Sequence, residues 1–384
     1  MCSRLRRDAH YFLIILGLLL IIGVLGFPTL KQTAVQNYFS PAYDADKENY
    51  NWEISEYATG LDVPWDMAFS PDGKLFITER PGNVKLRLSD GTIKTIAHLP
   101  QVSAVGESGL TGIALHPHFT ENNFVYLYYT YRDDGTILNR VSRYTFQNNQ
   151  LINETYIVNN LKGGSIHNGG RLRFGPDEKL WVLTGDAARP NLAQDPTARE
   201  GKVLRMNEDG SAPEDNPTKG SLVYSLGHRN PQGLDWHPLT EELIVSSHGE
   251  TAHDELNLVT PNGNYGWPVE KRCNEQAPYI PPLLCSGEET WAPSGIAFWG
   301  TDIWRFRYSL FFAGLRSGKL QRIAIIDSKV AEQETIIDGK YGRLRGLVKG
   351  PDGALYVSTS NKDGRGKPET TDDRILRVVP KLIP

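Results

Sequence analysis

One phrase recurs six times along this chain and constrains its fold more than any other feature. In each copy a small or turn residue leads into alternating apolar positions, a turn follows, and a second apolar run completes the unit. Alternation of this kind marks half-buried strands joined as hairpins. Six such units, spaced by roughly 45 to 60 residues, predict an all-β, six-bladed β-propeller formed by one domain over residues 53–380. The turns fall at Pro71, Pro117, Pro176, Pro238, the Trp299-Gly300 pair and Pro351.

A β-sandwich with appended segments is the alternative fold, but it gives no reason for six copies of one phrase. The 37 glycines and 24 prolines suit many short strands joined by turns. Either residues 374–380 or residues 52–58 are expected to supply the strand that closes the ring. Loops of a propeller gather at one end of its channel, so functional residues should recur at blade-like intervals.

The N-terminal segment has a different character from the repeats. Three arginines within the first seven residues precede residues 11–30, an uncharged stretch long enough to cross a bilayer as a helix. This arrangement predicts an uncleaved transmembrane anchor over residues 1–30, a polar linker over residues 31–52, and a domain on the periplasmic face of the inner membrane. A cleaved signal peptide, which would release a soluble periplasmic protein, is the alternative.

Two cysteines of the exported region, Cys273 and Cys285, lie in a proline-rich stretch. In an oxidising compartment they either form a disulfide or remain two free thiols. The segment that contains them, residues 271–290, is expected to form a substrate-specificity loop.

Two short motifs contain the candidate catalytic residues. His167 stands within residues 166–171, at the entrance of a strand and beside glycines that let a ligand approach closely. It is a candidate general base, with a hydrogen-bonded turn histidine as the alternative. The segment 227–233 places Arg229 and Asn230 at the equivalent point of the next unit. An arginine there either holds a carboxylate or forms a surface salt bridge.

A later stretch contains candidate metal ligands and aromatic faces. Asp254 and Glu255 lie in a glycine-containing loop and are either hard oxygen ligands for Ca²⁺ or ordinary solvated turn residues. Tyr265 and Trp267 either present flat faces to a ring-shaped ligand or pack beside the following proline.

Composition and charge point to a small molecule as the ligand. The net charge is −4 and no basic block follows the N-terminus, which argues against a nucleic-acid partner. Arg316, Arg343 and Arg345 lie close to the starts of repeated strands in the last two units. Three cations so placed indicate an anionic ligand with several carboxylates, or else a solvated charged face.

Taken together, these motifs resemble the family of PQQ-dependent soluble aldose sugar dehydrogenases and glucose/sorbosone dehydrogenases, over nearly all of residues 60–380. The resemblance implies a six-bladed propeller with bound pyrroloquinoline quinone (PQQ) and Ca²⁺. It implies oxidation of the C1 hydroxyl of an aldose to a lactone, with electrons passed to an external acceptor. The most specific matching stretches are HNGGRLRFGP followed by TGD, GKVLRMNEDGSAPEDNP, LGHRNPQGLDWHP, DELN followed by NYGWP, and RLRGLVKGPDGALYV.

The resemblance also implies roles for individual residues. His167 would take the proton of the sugar hydroxyl, and Arg229 would stabilise the developing oxyanion. The backbone carbonyls of Gly249 and Glu250 would bind Ca²⁺, with Asp254 and Glu255 completing the expected metal set. Asp186 falls in the Thr-Gly-Asp stretch without an assigned role. The residues expected to bind the cofactor are Glu107, Asn230, Tyr265, Trp267, Arg316, Arg343 and Arg345.

Three positions depart from the pattern of the family. Glu107 stands where many members have glutamine, and Glu250 where many have proline. Ser247 replaces a common acidic residue, which removes a ligand from any second, structural Ca²⁺ site. A carboxylate at position 107 would repel the carboxylates of the cofactor, so a non-catalytic ligand-binding propeller is the alternative function. A metal-dependent lactonase would need several converging carboxylates, and the sequence shows no such set.

Overall fold

Each repeated phrase of the sequence forms the two inner strands of one blade. The computed structural model describes residues 50–273, 277–301 and 303–383. Over these ranges the chain forms six four-stranded antiparallel sheets, which confirms the predicted six-bladed β-propeller. The expected anchor and all of the expected linker up to residue 49 lie outside the described residues. No helix in the described ranges is both long and apolar enough to cross a membrane.

The strands follow the chain in order around the ring, apart from the first one, β1 (Tyr50–Ala58). The first three blades contain β2 (Pro64–Phe69), β3 (Leu75–Glu79), β4 (Asn83–Arg87) and β5 (Ile93–His98); β6 (Leu110–Leu115), β7 (Phe124–Asp133), β8 (Thr136–Gln147) and β9 (Gln150–Lys162); and β10 (Leu172–Phe174), β11 (Leu180–Thr184), β12 (Lys202–Met206) and β13 (Val223–Leu226).

The next two blades contain β14 (Pro231–Trp236), β15 (Leu243–Ser247), β16 (Glu255–Val259) and β17 (Leu284–Cys285); and β18 (Pro293–Trp299), β19 (Ser309–Gly314), β20 (Lys319–Ile326) and β21 (Lys329–Asp338). The sixth blade contains β22 (Leu344–Lys349), β23 (Leu355–Thr359), β24 (Ile375–Leu382) and β1. Within the described ranges, one short helix, α1 (Phe119–Asn122), and two 3₁₀ turns, Pro190–Gln194 and Trp304–Phe306, interrupt the strands.

The two ends of the described chain close the ring together. Strand β1 pairs antiparallel with β24, from Tyr50 opposite Leu382 to Ala58 opposite Ile375. Both candidate closing segments therefore take part, as neighbouring strands of the same blade. The innermost strands of successive blades contact one another, and β22 of the last blade contacts β2 of the first.

Apolar side chains fill every interface between neighbouring blades. Both faces of each sheet are covered, so alternate residues of a strand enter two different cores. Phe76 of the first blade packs with Leu127 of the second, and Phe311 of the fifth with Leu355 of the sixth. All four side chains are fully buried, and burial of each contributes about 1.5–3 kcal/mol relative to exposure. Six such clusters, one per interface, hold the blades in register.

The innermost strands also bury a group of charges. Asp66 on β2 is fully buried and forms ion pairs with Arg171 and Arg173 of the third blade. Its carboxylate also accepts the backbone N–H groups of Met67 and Ile113. Burial opposes ionisation of Asp66, but the two guanidiniums outweigh it and hold the pKa of this carboxyl below its ordinary value. The cluster thus links the first three blades through one carboxylate.

We predict that Asp66→Asn lowers the free energy of unfolding at pH 7 by about 3–5 kcal/mol, because it leaves two buried guanidiniums without their anion. Since the folded pKa is depressed, this stabilisation is present above the ordinary aspartate pKa of about 4 and is lost as the pH falls through the folded value. Urea denaturation across pH 3–7 would measure it, with the exposed Asp133→Asn as the control. Equal stabilities of Asp66→Asn and the wild type at pH 7 would contradict the expectation.

Candidate functional site

A cavity of about 340 Å³ opens at one end of the ring. Two positions in the blades supply most of its lining: the residues that lead into the innermost strand, and the residues that follow the second strand. Segments that are far apart in sequence therefore lie next to one another around the cavity. The lining residues used below are Trp65, Arg80, Glu107, Asn168, Gly169, Asn230, Gln232, His248, Thr290, Arg316, Arg343, Arg345, Asp363 and Arg365.

The lining is strongly cationic. Among the described residues it contains five arginines but only two carboxylates, Glu107 and Asp363. Arg343 Nε lies 2.9 Å from Asp363 Oδ2, and Arg345 NH2 lies 3.5 Å from the same oxygen. Burial lowers the pKa of Arg345 to about 9 against the opposing charge of Asp363, and the neighbouring Arg343 lowers it further. One shared carboxylate cannot neutralise this group, so the cavity is suited to an anion with several charges.

Two arginines near the cavity retain free donors. Arg80 NH1 donates to Gly106 O at 2.8 Å, but its buried Nε has no hydrogen-bond partner among the described residues. Arg229 Nε is likewise buried and unpartnered within those ranges. Burial lowers the pKa of both side chains. Buried donors without acceptors are costly, so both guanidiniums are expected to gain a partner when a ligand binds.

His167 lies beside the cavity and is held by a buried carboxylate. Its Nδ1 is 2.8 Å from Asp186 Oδ1, and Asp186 is 1% exposed. A carboxylate only accepts, so Nδ1 carries the proton and Nε2 is left as the acceptor. His167 adopts the left-handed backbone conformation with φ of 57°. A Cβ on Gly185 would come within 2.1 Å of the His167 carbonyl oxygen, so only glycine allows this approach.

The second oxygen of Asp186 connects His167 to Trp267 and Arg229. Trp267 Nε1 donates to Asp186 Oδ2 at 2.8 Å, and the Ala188 N–H donates to Oδ1 at 2.9 Å. The guanidinium of Arg229 lies 5.3 Å from the centre of the Trp267 ring. Trp267 is buried and lies outside the cavity lining. His167 and Trp267 therefore share the Asp186 carboxylate, and the Arg229 guanidinium lies against the Trp267 ring. The expected contact of Trp267 with the cofactor stays a prediction.

Glu107 lines the cavity and bridges two loops. Its Oε2 accepts the His167 backbone N–H at 3.1 Å, and its Oε1 lies 2.9 Å from Arg365 NH2. Burial opposes its ionisation, yet the His167 N–H and the nearby His248 and Arg365 hold the pKa of Glu107 below its ordinary value. Arg365 therefore neutralises the carboxylate that was expected to repel an anionic ligand.

Asn230 lines the cavity, and both the oxygen and the nitrogen of its side-chain amide have partners in the protein. Its Oδ1 accepts the Gly169 N–H at 3.1 Å and the Gln232 amide at 3.1 Å, while its Nδ2 lies 3.4 Å from His248 Nδ1. The other ring nitrogen of His248 lies 3.0 Å from Pro293 O and donates to it. Burial lowers the pKa of His248 to about 4, so this ring is neutral at pH 7.

The expected carboxylate ligands for Ca²⁺ already accept hydrogen bonds or pair with a cation in the structure, and their role as metal ligands stays a prediction. Asp254 uses its carboxylate to accept the backbone N–H groups of Gly249, Trp291 and Ala292. Burial raises the pKa of Glu255 to about 7, and its carboxylate accepts the side-chain amide of Asn257. The exposed Glu250 pairs with Lys271 at 3.0 Å.

Within the described ranges, one group of three His, Cys, Asp or Glu ligand atoms lies close enough together to hold a metal ion, namely His253 with the two cysteines. Cys273 and Cys285 form a disulfide, as predicted, so their sulfurs are not free to bind a metal. The backbone carbonyls of Gly249 and Glu250 stay predicted ligands of Ca²⁺.

Tyr265 is buried and lies outside the cavity lining, and its expected contact with the cofactor stays a prediction. It is 3% exposed, its ring stacks on His228 at 4.7 Å, and its hydroxyl donates to Leu258 O. Thr290, at the end of the disulfide loop, does line the cavity.

Several lining residues were not expected from the sequence. Arg80, His248 and Asp363 each follow the second strand of a blade, in the place that Asp186 and Arg316 occupy in theirs. Alignment of the six repeats on their second strands would have indicated these positions.

We predict that Asp254→Asn lowers the free energy of unfolding by about 1–3 kcal/mol, because the amide group cannot accept all three backbone N–H groups. If Asp254 stabilises the protein only by accepting these backbone N–H groups, the loss of unfolding free energy is the same with and without added Ca²⁺. Thermal unfolding in Ca²⁺ and in chelator measures this, with the exposed Asp133→Asn as the control. A loss confined to the Ca²⁺ sample would instead show that Asp254 is a metal ligand.

A known protein family and its members share sequence with this chain. The model of the glucose/sorbosone dehydrogenase family matches residues 61–376. Aldose sugar dehydrogenase YliI of Escherichia coli is 31% identical over 331 residues, which cover 79% of this chain and 89% of that protein. Quinoprotein glucose dehydrogenase B of Acinetobacter calcoaceticus is 35% identical over 263 residues, 60% of this chain and 55% of that protein.

A solved structure shares both fold and sequence with the chain. The PQQ-bound form of aldose sugar dehydrogenase from Streptomyces coelicolor matches with a TM-score of 0.80 at 35% identity, over 87% of this chain and 100% of that one. The family match spans five-sixths or so of the sequence and includes every lining residue named above. The chain therefore belongs to the glucose/sorbosone dehydrogenase family.

Proposed function

We propose that the protein is a PQQ-dependent aldose sugar dehydrogenase that oxidises the C1 hydroxyl of an aldose to a lactone. The observation that carries the proposal is the oriented His167–Asp186 pair beside an arginine-rich cavity. Membership of the family and the PQQ-bound relative from Streptomyces coelicolor support it.

The residues of the cavity fit PQQ, which carries several carboxylates on a flat ring system. Arg316, Arg343 and Arg345 would hold these carboxylates, and Asn230 would contact a ring carbonyl. The unpartnered Nε of Arg80 gives a further donor at the same cavity. Arg365 neutralises Glu107, so the departure at this position does not prevent an anion from binding.

His167 would act as the general base toward the sugar hydroxyl. Asp186 holds the proton on Nδ1, so Nε2 is the atom that accepts the substrate proton. As Nε2 gains this proton the ring becomes cationic, and the adjacent carboxylate stabilises that charge. Trp267 keeps Asp186 in place by donating to its other oxygen.

Arg229 would stabilise the oxyanion that develops on the substrate. Its guanidinium lies against Trp267, close to the charge of Asp186, and one of its donors is free. When bound, PQQ supplies the carbonyl group that accepts hydride from the sugar carbon. Ca²⁺ would be held by the backbone carbonyls of Gly249 and Glu250, and the roles of His167 and Arg229 do not depend on it.

The location of the enzyme and its electron acceptor belong to the same proposal. The N-terminal sequence supports export with a retained anchor on the periplasmic side. Electrons would leave the reduced cofactor to an external acceptor. The non-catalytic alternative differs in one respect that can be measured, because it requires no turnover.

We predict that the full-length protein, supplied with PQQ and Ca²⁺, oxidises aldoses with an artificial dye as acceptor. His167→Ala should lower kcat by about 10²- to 10⁴-fold, since it removes the general base, while PQQ affinity stays the same. The exposed His118→Ala is the control. If PQQ binds without turnover for any aldose, the non-catalytic function is correct; full activity of His167→Ala would show that another group is the base.

We predict that Arg316→Met weakens PQQ binding by about 10- to 100-fold, the effect of losing one charge-assisted contact of about 1.5–3 kcal/mol. Arg316 is exposed at the cavity and forms no ion pair among the described residues, so the melting temperature of the apoprotein should not change. Titration with PQQ followed by absorbance measures the affinity, with Arg132→Met as the matched control. An unchanged affinity would exclude Arg316 from the cofactor site.

A further inference from the structure

Lys202 is a charged residue that the proposed chemistry does not use, yet it is completely buried. It is the first residue of β12 and is 0% exposed. Its ammonium group donates to Leu192 O at 2.7 Å, Ala193 O at 3.0 Å and Glu200 O at 2.7 Å. An ammonium has three N–H groups, so every donor is used on a backbone carbonyl. Carbonyl oxygens that converge in this way are typical of a cation site.

The charge persists at neutral pH despite its burial. Burial lowers the pKa of Lys202 to about 8, while the nearby charges of Glu200 and Asp195 oppose the change. The ammonium form therefore predominates at pH 7. A buried charge costs several kcal/mol unless polar groups surround it, and here the three carbonyls provide that surrounding.

The carbonyls that bind Lys202 belong to the loop that begins with Asp186. This loop, residues 186–201, joins β11 to β12 and contains the 3₁₀ turn Pro190–Gln194. The Ala193 carbonyl also accepts the Gly227 N–H at 2.9 Å. Gly227 begins the turn that contains Arg229 and Asn230. Lys202 therefore binds the carbonyl through which the 186–201 loop contacts this turn.

The 186–201 loop also contacts Trp267, which is a second hydrogen-bond partner of the Asp186 carboxylate. Gln194 Nε2 donates to Trp267 O at 2.7 Å and to Asn264 Oδ1 at 3.0 Å. Trp267 in turn donates from its ring N–H to Asp186. The position of Asp186 is therefore set from two sides by a loop that folds around one ammonium group.

We propose that Lys202 is an internal cation that organises the 186–201 loop and is a positioning residue for the Asp186–His167 pair. Its kinetic consequence rests on the proposed function, in which His167 is the general base. Lys202 does not touch substrate or cofactor; it acts through the carbonyls of Leu192 and Ala193. Removal of its charge takes one donor from each of these carbonyls and lets Asp186 move.

The first test compares Lys202→Met, which keeps the length and loses the charge, with Lys202→Arg, which keeps the charge. Lys202→Met should lower kcat by roughly 10- to 100-fold with little change in KM, because small displacements of catalytic groups have effects of this size. Lys202→Arg should recover a substantial part of the loss. Lys219→Met, an exposed lysine in the same blade, is the control and should match the wild type.

The second test follows His167 itself in the protein without PQQ. NMR of histidine-labelled protein, with His167→Ala to assign the signal, gives the titration curve of its ring. Lys202→Met should shift this curve, whereas Lys219→Met should not. A wild-type curve together with a wild-type kcat in Lys202→Met would overturn the proposal. If the wild type shows no PQQ-dependent turnover, the proposed function fails, and the NMR curve still decides the role of Lys202.

The third test covers the case in which Lys202→Met does not fold. Lys202→Ala leaves a space among the three carbonyls, and ethylammonium or propylammonium should raise its melting temperature and restore part of the His167 signal. Tetramethylammonium, which cannot donate, should do neither. Equal effects of the donating and non-donating cations would show that Lys202 fills space only and would overturn the proposal.

Discussion

The pairing of β1 with β24 is the interaction on which the site depends. It joins the first described strand to the last one and so completes the sixth blade beside the first. Across this seam the Arg345 guanidinium lies 5.5 Å from the centre of the Trp65 ring, and Ser358 Oγ donates to Pro64 O. Without closure the arginines of the sixth blade would not face the residues of the first three. The cavity is thus a product of the ring, since no blade supplies it alone.

The buried charges of Asp66 and Lys202 follow one rule. Asp66 is matched by Arg171 and Arg173, and Lys202 by three carbonyls. Such groups are tolerated in the interior because each is paired or fully hydrogen-bonded. The cavity departs from the rule, because its arginines outnumber its carboxylates and donors near it lack partners in the described ranges. The excess positive charge and the unpartnered donors are stabilised when an anion binds in the cavity and accepts hydrogen bonds from them.

The sequence was sufficient to predict the fold because the alternation of apolar residues follows directly from the geometry of a strand. His167, Arg229 and Asn230 could be located for a related reason: they stand at strand entrances of successive repeats. The roles expected of Asp254 and Tyr265 stay predictions, because residue type does not show which hydrogen bonds a polar group already makes. Three backbone N–H groups donate to the carboxylate of Asp254, and those donors come from residues up to 38 positions away.

Arg80 and Lys202 show a second limit of the sequence. Neither stands in a motif with an obvious chemistry, and both acquire a role from carbonyls or loops brought near by folding. An arginine after a strand and a lysine at the start of one are common on solvated surfaces. Only the closure of the blades makes one a cavity donor and the other an internal cation.

The cores and the cavity are made from different residues. Among the described lining residues, none belongs to the six apolar clusters between the blades. Exchange of a lining side chain therefore leaves the apolar packing that holds the ring intact. Evolution can alter substrate range in such a ring through its loops, at little risk to folding, and an engineer can do the same.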